Sequence, residues 1–130
     1  MSHSLFLIFN HTFTDAQRED AKASLGIDRV IDMPDDHKAI WRSIPPELEK
    51  IYGYLEPVQS WLKQNAKPGD YALIQGDFGA CHIMVHFAFN LDLIPVYSTT
   101  GREAMESILK DGTVKITHHF RHIIFRRYER

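Results

Sequence analysis

The most constraining feature of this chain is a set of short apolar runs, each cut off by a polar loop. Leu5-Phe6-Leu7-Ile8-Phe9 is five apolar residues followed at once by Asn10-His11-Thr12. Tyr71-Ala72-Leu73-Ile74 is followed by Gln75-Gly76-Asp77-Phe78-Gly79, and Leu93-Ile94-Pro95-Val96-Tyr97 by Ser98-Thr99-Thr100-Gly101-Arg102. Runs this short and this continuous predict strands covered on both faces, which is the habit of a parallel sheet between helices.

The segments between them read accordingly. Thr14 with Gln17 three residues on has capping-box spacing, so a helix starts there and runs to about Leu25, where Gly26 stops it. Arg29-Val30-Ile31 is a second strand, and Asp35 to Ser43 a short helix before Pro45-Pro46. Leu48, Ile51, Tyr52, Leu55, Val58 and Leu62 recur at helical spacing, which predicts a helix from Pro46-Glu47 that Pro57 kinks or divides. A helix from the Gln75–Gly79 turn to about Asn90 is apolar nearly all round, so part of it is expected to bury against a second subunit. Pro95 offers no amide donor, so its strand needs a free side or a bulge there. Glu103 to Lys110 reads as one more helix, stopped by Asp111-Gly112, and Thr113 to Tyr128 as one long strand or two joined near His119.

The order is β-α-β-α-β-α-β, then a helix and a β tail. It predicts one α/β domain over residues 1–130: a mostly parallel, doubly wound sheet with an antiparallel C-terminal edge. A chain of 130 residues builds such a core without disulfides or metal. Its one cysteine, Cys81, fits a reducing cytoplasm. Leu5–Phe9 is too short for a signal core or a membrane span, and no membrane partner is expected. The net charge of −2 argues against long duplex nucleic acid, while a basic pocket for a small anion remains compatible with it. The segment from Lys115 onward carries a net +4 against −6 for the rest, which reads as an edge strand with a solvated face.

In a parallel sheet, ligands sit beyond the carboxyl ends of the strands, where the three polar loops should meet. Arg102 could fork onto phosphate oxygens, with Ser98, Thr99 and Thr100 donating; the plainer alternative is Thr100 as a helix cap beside a solvated arginine. Gly76 and Gly79 would let backbone amides approach a ligand at a helix start; alternatively Asp77 simply caps that helix. No full GxGxxG and no GK[ST] is present. His11 stands where an imidazole could act as general acid or base; the plainer alternative is a surface histidine. His82 and His86 lie four apart on one helix, but the HExxH glutamate is missing and no third ligand is evident, so no metal site is expected.

Asp70-Tyr-Ala-Leu-Ile-Gln-Gly-Asp-Phe-Gly79, Phe87-Ala-Phe89, Leu93-Ile-Pro95, Ser98-Thr-Thr-Gly-Arg102, Leu5 to His11 and Phe125-Arg-Arg-Tyr128 together resemble the small accessory Csx proteins of type III CRISPR loci. The resemblance covers nearly the whole chain. It implies a minimal relative of the CRISPR-associated Rossmann-like fold (CARF), working as a homodimer in the prokaryotic cytoplasm and binding cyclic oligoadenylate. It further implies a ring nuclease acting on cyclic tetra-adenylate, which needs no cofactor because a ribose 2′-hydroxyl of the ligand is the nucleophile. On that reading His11 and Arg102 are catalytic. Asn10, Gln75, Gly76, Asp77, Phe78, Gly79, Ser98, Thr99 and Thr100 would hold the ligand, with Phe78 either stacking an adenine or packing in the core. The alternatives are a sponge that holds the ring uncut, and a flavodoxin-like interaction domain.

Overall fold

A computed structural model describes residues 2–130. The elements are β1 (His3–Ile8), α1 (Asp15–Leu25), β2 (Ile27–Asp32), α2 (Asp35–Arg42), α3 (Glu56–Asn65), β3 (Tyr71–Ile74), α4 (Phe78–Asn90), β4 (Ile94–Ile108) and β5 (Val114–Arg127). They form one five-stranded sheet in the order β2-β1-β3-β4-β5. β1, β2, β3 and the start of β4 are parallel, and β5 closes the edge antiparallel to β4. This is the Rossmann-like α/β fold that the short apolar runs predict.

Alternation along β1 divides the core. Phe6 and Ile8 face α2, α3 and α4, together with Ala72, Ile74, Leu62 and Met84. Leu5, Leu7 and Phe9 face α1, with Ala21, Leu73 and Val96. β2 lies on one side of β1 and β3 on the other, so chain direction across the sheet reverses between β1 and β3. That reversal opens a crevice at their carboxyl ends.

Local signals place the elements. Thr14 caps α1 with both halves of the capping box, and Gly26 ends it in the left-handed conformation at φ 67°. The Pro95 carbonyl accepts from Tyr128 N at 3.0 Å. Its missing amide therefore faces Tyr128, one residue past the end of β5, and proline costs the ladder at most one bond at its end.

Two expectations fail. The helix expected from Pro46 is a series of turns up to Leu55, and helix resumes only at Glu56. Pro57 sits in the first turn of α3, where no amide donor is needed, so it starts a helix rather than kinking one. Glu103 to Lys110 is not helical: β4 runs on through it to Ile108, in register with a single unbroken β5. Val114, Ile116, Thr117 and Ile123 favour a strand, and pairing with them overrides the helix propensity of Glu103-Ala104-Met105-Glu106. Asp111 and Gly112 close this hairpin: the Asp111 carboxylate accepts from Thr113 N at 3.0 Å, and Gly112 takes φ 86°. Beyond Thr100 the hairpin leaves the body as an exposed two-stranded arm.

Candidate functional site

At the carboxyl ends of β1 and β2 lies a cleft of about 460 Å³. Leu7, Phe9 and Val30 form its floor, and Asn10, His11, Thr12, Arg18, Lys38 and Arg42 supply its polar lining. Arg18 comes from the first turns of α1. Lys38 and Arg42 stand four apart on one face of α2, whose Trp41 is buried in the core. Asp32 is the only carboxylate of the lining and bonds Lys38 at 2.5 Å. That bond holds the Lys38 ammonium above its ordinary range. Arg18 and Arg42 are left as an excess of fixed positive charge, so the cleft suits an anion. His11 and Asn10 are exposed at its rim.

The Gln75–Gly79 segment adjoins this edge, since Gln75 N donates to Ile8 O at 3.1 Å. The polar groups of Gln75 and the Asp77 carboxylate are engaged within the protein. Asp77 caps α4 by accepting from Ala80 N at 3.0 Å. The Gln75 carbonyl accepts from Trp41 Nε1 at 2.8 Å, and its side chain accepts from Ser98 N at 2.8 Å. Gly76 is required by Trp41, because a Cβ there would stand 2.8 Å from the indole nitrogen. Asp77 thus takes the capping role, the plainer of the two that the sequence offers this turn.

Phe78 projects from it with 95% of its surface exposed, so it has no core role. It borders a second pocket of about 540 Å³ with Gln75, Gly76, Cys81, Tyr97 and Tyr128. Burial pushes the Cys81 thiol up to about 11 and the Tyr128 hydroxyl up to about 12. Tyr128 donates to Ile74 O at 2.7 Å. His82 and His86 also line this pocket, their rings 4.6 Å apart, and among the described residues no third side chain joins them as a metal site. One face of α4 is taken up inside the body, where Ala80, Met84, Val85 and Ala88 are buried, while Cys81, Ile83, Phe87 and Phe89 are half-buried.

The third expected loop, Ser98 to Arg102, is part of β4. Thr100 therefore caps no helix, and Thr99 Oγ1 bonds the backbone of Ile124 across the hairpin. Arg102 is exposed on the arm, 6.0 Å over the Phe120 ring, and does not line the cleft with His11.

Ser98 belongs instead to a buried polar chain that its sequence surroundings do not announce. Its hydroxyl lies 2.5 Å from His122 Nδ1, and His122 Nε2 lies 2.6 Å from Asp20 Oδ2 on α1. Only 5% of the His122 side chain is exposed. Burial opposes ionisation of Asp20, yet hydrogen bonds from Ser24 and His122 hold its carboxyl below the usual range. The chain joins α1, β5 and β4, and Gln75 extends it to the end of β3. Asp20 and His122 are invisible to sequence reading because the β4–β5 register decides their meeting. The Lys38–Arg42 spacing puts two cations on one face of α2, and only the packing of that helix directs them to the cleft.

A family model described as the uncharacterized protein MJ1673 family matches residues 3–126. Uncharacterized protein MJ1673 of Methanocaldococcus jannaschii is 46% identical to this chain over 124 residues, which cover 95% of both. No solved structure matches the chain.

Proposed function

The chain belongs to the MJ1673 family, and we propose that it is a ring nuclease that binds cyclic oligoadenylate, cyclic tetra-adenylate first, and opens it to end a type III CRISPR signal. The observation carrying this reading is the cationic cleft at the ends of β1 and β2, which Arg18, Lys38 and Arg42 line together with the exposed imidazole of His11. Cations on a rigid rim suit a ligand made of phosphodiesters. The aromatic pocket beside Phe78 offers faces on which an adenine could stack.

The chemistry asks little of the protein beyond positioning and charge. A ribose 2′-oxygen attacks the adjacent phosphorus, the bond from phosphorus to the 5′-oxygen breaks, and a 2′,3′-cyclic phosphate and a 5′-hydroxyl remain. One proton leaves the 2′-hydroxyl and one arrives at the 5′-oxygen. His11 is the group to move one of them. Arg18 and Arg42 take the phosphate-neutralising part that the sequence suggests for Arg102. Asn10 and Thr12 would orient the ribose. The setting is the prokaryotic cytoplasm, where the signal is made.

A second reading, retention without cleavage, is favoured by one feature: among the described residues no hydrogen bond holds the His11 ring. An unpositioned base is a weak catalyst. Purified protein incubated with labelled cyclic tetra-adenylate in EDTA separates the cases. Linear product supports the nuclease, intact retained ligand supports the sponge, and absence of binding overturns both.

A further inference from the structure

The cationic cleft does not end at Arg18. α1 packs on the Leu5, Leu7 and Phe9 face of the sheet, and β2 is an edge strand, so the sheet surface beside α1 lies open along β2. A second hollow of about 560 Å³ occupies that surface. Arg18 and Val30 line both hollows, so the two adjoin there. The Arg18 guanidinium lies 5.5 Å from the centre of the Phe13 ring, a contact that steadies it at the junction. Lys22 follows Arg18 by about one helical turn, roughly 6 Å along α1, and lines the second hollow. Asp28 lines it from β2, where the strand carries an extra residue: Ile27 pairs with His3, and Arg29 with Ser4. Arg18, Lys22, Lys38 and Arg42 thus face Asp28 and Asp32 across the two hollows, and Asp32 is already bonded to Lys38.

We propose that the two hollows are consecutive subsites of one groove, along which the ligand lays two neighbouring phosphodiesters. This rests on the reading that the first cleft holds a phosphodiester, and it adds a requirement: the ligand must offer a second phosphate on the α1 side. The first phosphate meets Arg42 and Arg18, and the second meets Arg18 and Lys22. A guanidinium carries five donors, so Arg18 can serve both phosphates at once. The step from Arg18 to Lys22 is comparable to the spacing of successive phosphates in an extended nucleotide strand. Asp28 would repel a phosphate but accepts from ribose hydroxyls. The second hollow therefore suits the alternation of phosphate and ribose better than the row of carboxylates in an acidic peptide. No aromatic side chain lines it, so this subsite reads the sugar–phosphate backbone and is indifferent to the base.

The test crosses two ligands with point variants. The probes are linear diadenylate and linear triadenylate, which carry one and two phosphodiesters, and affinity is read by NMR titration of the labelled protein. Chromatography after each titration confirms that the ligand is intact. Triadenylate should bind wild type about tenfold more tightly than diadenylate, the worth of one charged contact to phosphate. Lys22→Ala should remove most of that gain while diadenylate stays within about twofold of its wild-type affinity. Lys22→Arg should keep the gain, and Arg42→Ala should weaken both ligands alike. Lys22 is exposed on a helix that accepts alanine readily, so the thermal midpoint of Lys22→Ala should match wild type. Equal affinity of wild type for the two ligands, or a Lys22→Ala variant that keeps the full gain, would overturn the second subsite and leave the reading of the first cleft standing. Failure of both ligands to bind would overturn the reading of the first cleft, and the second subsite with it.

Discussion

The imidazole of His122 stands 2.5 Å from the Ser98 hydroxyl, across the two strands at the point where the hairpin leaves the body. Its other nitrogen meets Asp20 at 2.6 Å, so one ring ties the arm's root to α1.

His122→Ala leaves the Ser98 hydroxyl and the Asp20 carboxylate without their partner. Each orphaned group typically costs about 1–3 kcal/mol, less where water reaches it. The expected loss of stability is about 2 kcal/mol, read from urea unfolding followed by the fluorescence of Trp41 and Trp61. A variant as stable as wild type would show that the chain of bonds contributes nothing.

The lowered Asp20 carboxyl fixes the sign of an acid effect. In the unfolded chain it titrates near 3.8, and in the folded protein below that. The contribution is therefore present above the unfolded value and is lost as pH falls through the folded one. Melting temperature should drop between pH 5 and pH 3 less steeply in Asp20→Asn than in wild type. Parallel curves for the two proteins would remove Asp20 from the acid response.

Gly76→Ala should destabilise through Trp41. The added Cβ would lie 2.8 Å from the indole nitrogen that donates to Gln75 O, so ring and bond must move. Overpacking of this kind costs about 1–3 kcal/mol. The same denaturation experiment reads it, and a blue or red shift of Trp41 emission should accompany the loss.

In the cleft, His11→Ala should lower ring opening by about 10²–10⁴-fold while binding persists. Arg42→Ala should weaken binding of labelled cyclic tetra-adenylate by roughly tenfold or more, as expected for one charged contact to phosphate. Filter binding and single-turnover cleavage measure the two separately. An Arg42→Ala variant with unchanged affinity would place the ligand elsewhere.

Cys81 should resist alkylation. With the thiol raised to about 11, about one molecule in a thousand is thiolate at pH 8, against roughly a quarter for an ordinary cysteine. Iodoacetamide labelling followed by intact mass should run on the order of 10²-fold slower than for a free thiol at pH 8, and accelerate steadily toward pH 11.

The sequence made the body of the fold legible, because apolar runs of four or five residues have few ways to be covered on both sides. The Thr14–Gln17 cap, the Gly26 stop and the Asp77 cap were equally local and equally readable. What escaped was whatever long-range pairing decides. Glu103-Ala104-Met105-Glu106 favours a helix by itself and is a strand only because β5 lies beside it. For the same reason Ser98 to Arg102 reads as a loop, and the Ser98–His122–Asp20 contact has no sequence signature. At the cleft, the place of His11 and Asn10 is readable from their position after β1, while Arg18 and Arg42 require the packing of α1 and α2 to show which way they face.

β4 belongs to two cooperative units at once. Its first residues lie between β3 and β5 inside the sheet, and the rest runs out along the arm with one neighbour and water on the other side. The register shift between Ser98 and Thr100 marks the border. Amide protons up to Val96 should be released only when the whole domain opens, whereas those past Thr100 should be released by fraying of the ribbon alone. One continuous strand thus carries a step in hydrogen-exchange protection, and a partner that clasps the arm can slow exchange there without changing the global unfolding energy of the body.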